Sequence, residues 1–79
     1  VPRYFFHLRN DLNADDEEGA ELPDLDAARE RAKAFALDMA AASILEHQKL
    51  NLHHRIEIAD ASGAILEVIE FRDVLTLEG

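Results

Sequence analysis

Residues 3–9, Arg-Tyr-Phe-Phe-His-Leu-Arg, alternate between two faces and are rich in the aromatics that suit a pleated, half-buried surface, which predicts a strand. Tyr4, Phe6 and Leu8 share one face; Arg3, Phe5, His7 and Arg9 share the other. Residues 10–13 read as a turn, and residues 14–18 as a short, very acidic second strand ending at Gly19. Pro23 and Asp24 then announce a helix, with Asp24 as N-cap, running from residue 25 to residue 48. Within it, Leu25, Ala28, Ala32, Phe35, Ala36, Met39 and Ser43 recur at helical spacing and form the expected core stripe. Asn51 is the expected left-handed cap. Residues 52–59 alternate again, residues 60–63 form a hairpin loop around Gly63, and residues 64–71 form the last strand, with Leu66 and Val68 expected to face the core. Residues 72–77 are expected to make a turn and a short closing segment.

The order is ββαββ, an α+β domain spanning residues 1–79. A hairpin sets strand 2 antiparallel to strand 1, and a right-handed helical crossover returns strand 3 beside strand 1. The expected sheet is antiparallel with order 2-1-3-4 and one long helix packed on one face.

Composition narrows the class. With 79 residues, no Cys and no apolar run near the roughly 20 residues of a membrane span, the chain has no disulfide framework and no expected span. No secretion signal is legible, so a cytoplasmic domain is expected. The net charge of −9 argues against nucleic acid as a partner. That charge is local: eight acids and no Lys or Arg lie in residues 11–26, leaving nine acids against eight bases elsewhere.

Candidate chemistry is sparse. Asp11, Asn13 and Asp15 have the first spacings of a calcium loop, but Asp16 stands where that loop needs Gly and Leu22 where it needs a bidentate Glu. His7 and His53 are expected to be cross-strand neighbours, without a third ligand to complete a metal site. Neither Ser43 nor Ser62 has a His at a recognisable spacing, and three glycines cannot build a phosphate loop. Arg29, Arg31 and Lys33 read as a solvated face paired with Asp26 and Glu30. No catalytic residue, cofactor or metal site is expected, and the chain is not expected to be an enzyme.

Surfaces are more informative. One helix leaves one sheet face open, expected to carry Arg3, Phe5, His7, Arg55 and Ile69, while Leu37 and Ile44 lie off the helix stripe. So small a domain buries only about 60% of its unfolded surface, so a homodimer through these residues is expected.

Pro2-Arg3-Tyr4-Phe5-Phe6-His7, the run from Asp16 through Glu21-Leu22-Pro23-Asp24-Leu25 to Ala28, Ile58-Ala59-Asp60 with Gly63, and Phe71-Arg72-Asp73 together resemble a family of small bacterial domains of unknown function, common in rhizobia and related alphaproteobacteria. The resemblance spans nearly the whole chain and implies no particular activity. An aromatic strand, an acidic hairpin and a Pro-Asp turn before a helix are also similar to HicB-type antitoxins. That similarity implies binding to a partner protein. The leading expectation is a non-catalytic, self-associating interaction module. The alternatives are an antitoxin-like inhibitor that grips a basic partner through residues 11–26, chiefly Asp15, Asp16, Glu17 and Glu18, and a small-ligand or metal sensor.

Overall fold

A computed structural model describes residues 2–10 and 13–75. Strand β1 (Arg3–Arg9) is followed by β2 (Ala20–Glu21), helix α1 (Leu25–His47), β3 (Arg55–Ala59), β4 (Ile65–Glu70) and a short helix α2 (Phe71–Val74). The four strands form one antiparallel sheet in the order β2-β1-β3-β4, with α1 on one face, as the connectivity argument requires.

Helix α1 begins where the sequence places it. The Asp24 carboxylate accepts the Ala27 N–H at 2.8 Å, removing one of the orphan donors of the first turn. The helix ends one residue earlier than expected, and Gln48, not Asn51, takes the left-handed cap conformation, its N–H donating to Ile44 O. Asn51 instead shapes the following turn by accepting the His53 N–H.

The core is divided unequally between its two layers. The sheet supplies Tyr4, Phe6, Ile56, Ile58 and Ile69, and α2 supplies Phe71. Helix α1 supplies Ala28, Ala32, Ala36 and Ala40, one small side chain per turn. Four alanines let the helix axis approach the sheet closely, so the bulk that fills the interface comes from the strands. The larger apolar residues of α1 are displaced to its flanks. Phe35, expected in the core stripe, is 48% exposed, and Met39 is half-buried at the stripe's edge.

Two strand expectations are corrected. The second strand is not residues 14–18: Ala14 makes a single bridge to Leu8, the chain then leaves the ladder, and β2 proper is Ala20–Glu21. The departure has a local cause, because the Asp16 side chain takes the place of a backbone acceptor for Phe6 N–H. The parity of β4 is also reversed. Register pairs Ile56 with Ile69 and Ile58 with Glu67, which turns Ile69 into the core at 5% exposure and leaves Leu66 and Val68 on the open face. Ile69 is therefore a core residue and not an interface residue. Glu67 tolerates the helix-side position because Arg29 on α1 donates to it at 2.6 Å.

Gly19 is a tight point between β2 and β1. Its φ is +71°, and a Cβ there would lie 2.9 Å from both a Phe5 ring carbon and Tyr4 O. Gly19→Ala is expected to cost about 2 kcal/mol, from the left-handed backbone and the clash together. Urea unfolding would measure it, and a loss below a few tenths of a kcal/mol would contradict the geometry.

Candidate functional site

The face of the sheet away from α1 is laid out by register. Phe5 stands opposite Ala59, His7 opposite Glu57, and Arg9 opposite Arg55; on the other side of β3, Glu57 stands opposite Val68 and Arg55 opposite Glu70. His53 precedes β3 and is not the cross-strand neighbour of His7, as expected from the sequence; Glu57 is. Among the described residues, no group of three or more His, Asp or Glu side chains is placed to hold a metal ion.

The cations of this face are already engaged. Arg9 donates to Asp15 at 2.6 Å and to Glu57 at 2.9 Å. The hydrogen bond that Arg9 donates to Asp15, then the one it donates to Glu57, raises the Arg9 pKa above its ordinary value, and Arg9 in return lowers that of Asp15. Arg3 donates to Glu21 and to Glu18 O, and Arg55 lies 3.8 Å from Glu57. Arg9 and Arg55 are thus cross-strand neighbours that share Glu57, while Arg3 pairs separately with Glu21, so each arginine of this face is offset by an acid.

The acidic segment is split in two by the fold. Asp16 is a structural bracket: Oδ2 accepts Phe6 N–H at 3.1 Å, and Oδ1 accepts the N–H groups of Glu18 and Gly19 at 3.1 and 3.0 Å. The Asp16 N–H in turn donates to His7 Nδ1. Burial by itself would raise the Asp16 pKa, but the three backbone donors outweigh it and hold the carboxyl below the ordinary range. Of the four acids expected to grip a basic partner, Asp15 and Asp16 are therefore used inside the domain, while Glu17 and Glu18 have exposed side chains. Nothing in the sequence distinguishes these roles except the spacing of Asp16 from Gly19, which suits an Asx-type turn. Asp60 plays a similar part in the β3–β4 loop, where it accepts from Ser62 N–H, Ser62 Oγ and Ala64 N–H.

The basic residues of α1 behave as the sequence suggests. Arg29 pairs with Asp26, and Lys33 with Glu30 at 3.7 Å. The contact of Arg29 with Glu67 is the addition that only the fold supplies.

What remains is apolar surface. Leu37, Ile44 and Leu45 are exposed on α1, and Ile65, Leu66 and Val68 on β4. A groove of about 330 Å³ runs between α1 and the acidic side of the sheet, lined by Phe6, Leu8, Phe35, Met39 and Ile56 with Asp15 and Asp16 at its rim. Phe35 separates it from a second hollow of about 490 Å³ that reaches Arg31 and Asp38. Of the interface residues expected from sequence, Leu37 and Ile44 are exposed and apolar, Arg3 and Arg55 are exposed and paired, and Phe5 and His7 are half-buried beside the acidic segment.

No helix among the described residues is long and apolar enough to cross a membrane. A family model described as a domain of unknown function (DUF6894) matches residues 3–72. No curated protein and no solved structure matches the chain.

Proposed function

Because the chain belongs to this family of domains of unknown function (DUF6894), we propose its role from its surfaces: a non-catalytic, cytoplasmic protein-interaction module that associates with itself. The observation that carries the reading is the exposure of large apolar side chains on both α1 and β4. A small domain can ill spare them. At this size hydrophobic burial barely exceeds the entropy lost on folding, and there is no disulfide to help. Apolar surface left outside such a core is the usual mark of a contact with another chain.

The reading in which the acidic segment grips a basic partner has less support, because Asp15 and Asp16 already serve Arg9 and the β1 backbone. Direct contact with nucleic acid has little, because Arg3, Arg9 and Arg55 are each paired with acids. A ligand sensor gains little from the Phe35 grooves, which hold few convergent polar groups, and would rest instead on the more polar hollow of about 480 Å³ lined by Ser43, His47, Lys49, Asn51 and His54.

Sedimentation velocity on the full chain tests the reading. A dimer is expected at micromolar concentration, with an affinity that changes little with salt, since apolar burial and not ion pairing drives it. A monomer persisting to high micromolar concentration would overturn the proposal.

A further inference from the structure

Independently of self-association, we infer that His7 is a pH-operated latch on the acidic segment: the neutral ring holds the Asp16 backbone, and the protonated ring releases it and takes the Asp15 carboxylate instead. The Asp16 N–H donates to His7 Nδ1 at 3.1 Å. A backbone N–H can only donate, so Nδ1 carries no proton, and the ring is the neutral tautomer with its hydrogen on Nε2. On protonation both ring nitrogens become donors. Nδ1–H then faces Asp16 N–H, donor against donor, and this bond is lost.

The second partner already stands beside the same atom. Asp15 Oδ1 lies 3.8 Å from His7 Nδ1. While the ring is neutral these are two acceptors and do not bond; with a proton on Nδ1 the same approach becomes a charge-assisted hydrogen bond. The two partners belong to adjoining residues. A turn of the one planar peptide between Asp15 and Asp16 swings the N–H away from the ring and leaves the Asp16 Cα and Cβ in place. The Asp16 carboxyl therefore keeps the Phe6, Glu18 and Gly19 N–H groups through the exchange. What changes hands is Asp15. Its Oδ1 is the atom to which Arg9 donates, so the protonated ring competes with Arg9 for it, while Arg9 retains Glu57.

The ring can take a proton without being expelled from the sheet. Its side chain is 18% exposed, so water reaches it. Among the described residues, the charged groups that face it are Asp15 and Asp16 from the acidic segment, Glu57 opposite it on β3, Arg9 two residues along β1, and Arg55 on the diagonal. Phe5, Ala59 and Val68 complete the surroundings and carry no charge. Both arginines are offset by acids, Arg9 by Asp15 and Glu57 and Arg55 by Glu57. Each protonation state thus has one good partner at Nδ1, and one proton chooses between them.

The test uses the full chain labelled with nitrogen-15, followed by NMR from about pH 5 to about pH 8, where histidines titrate and ordinary carboxyls do not. At the alkaline end the His7 ring is expected to carry its proton on Nε2, with a scalar coupling from Asp16 N across the hydrogen bond to Nδ1. At the acid end the coupling is expected to vanish and the Asp16 amide to lose roughly tenfold of its protection, after correction for the intrinsic exchange rate. The Asp16 amide shift is expected to follow the His7 ring in one transition. His7→Asn sets an amide oxygen that does not titrate near the place of Nδ1. It is expected to flatten the Asp16 transition while His47, His53 and His54 titrate as before. A ring protonated on Nδ1 at the alkaline end, a coupling that is absent there or persists in acid, or an Asp16 transition that His7→Asn leaves intact would overturn the latch. Should His7→Asn not fold, the tautomer and the coupling in the native chain decide alone.

Discussion

Ile58→Ala is expected to lower the unfolding free energy by about 3 kcal/mol. Ile58 and Ile56 are the largest fully buried side chains, both on the β3 face that meets the alanine stripe of α1. The cost comes from lost transfer free energy and from the cavity that remains. Here the cavity term is large, because the opposing helix has only methyl groups, which cannot reach in to fill the space. For a domain of this size the whole stability is of order 4–12 kcal/mol, so one such change removes a large fraction of it. The melting temperature is expected to fall by roughly 15 °C. Calorimetry of the two chains at matched concentration measures this, since any dimerisation also raises the apparent stability. A fall of only a degree or two would mean that α1 settles onto the sheet and closes the cavity.

Asp16→Ala is expected to cost about 2 kcal/mol at neutral pH, a large effect for a half-exposed residue. Three backbone N–H groups lose their acceptor, among them the part-buried Phe6 N–H. Asp16→Asn is not a conservative rescue. Its amide nitrogen must face either Phe6 N–H or the Glu18 and Gly19 pair, setting donor against donor. The effect depends on pH with a definite sign. The carboxyl of Asp16 is held below its ordinary pKa in the folded chain, so it contributes stability above the unfolded value, about 3.9, and loses it as pH falls through the lower folded value. The stability difference between the native chain and Asp16→Ala is therefore expected to be constant from pH 6 to pH 8, within about the error of a denaturant titration, and to close below roughly pH 4. Taking the difference cancels the titration of Asp15 and Asp60, whose carboxyls are also held low. A gap that stays open in acid would show that Asp16 acts through packing and not through its charge.

The acidic segment illustrates how far sequence reasoning reaches. Its charge, position and proximity to β1 follow from composition and connectivity. The division of labour within it does not. Whether Asp15 or Glu17 meets Arg9 depends on where the chain leaves the ladder, and that depends on Asp16 replacing a backbone acceptor and on Gly19 lying against Phe5. The open-face arginines follow the same logic: their strands are legible, but their partners come from register.

The sequence by itself determined the ββαββ order, the antiparallel 2-1-3-4 sheet, the inward face of β1 and the start of α1 at Asp24. Each rests on local chemistry or on connectivity: aromatic alternation, a carboxylate cap, and the reach of a right-handed crossover. Only the tertiary structure decided the parity of β4 and the displacement of Phe35 from the core stripe of α1. On β4 both parities are apolar, Leu66 and Val68 on one side and Ile69 on the other, so alternation carries no sign. Register with β3 and the Arg29–Glu67 pair fix it. On α1 the stripe of Ala28, Ala32 and Ala36 was legible from helical spacing, but Phe35 was not, because the alanine row lies flat against the bulky strand residues and leaves the ring on the flank.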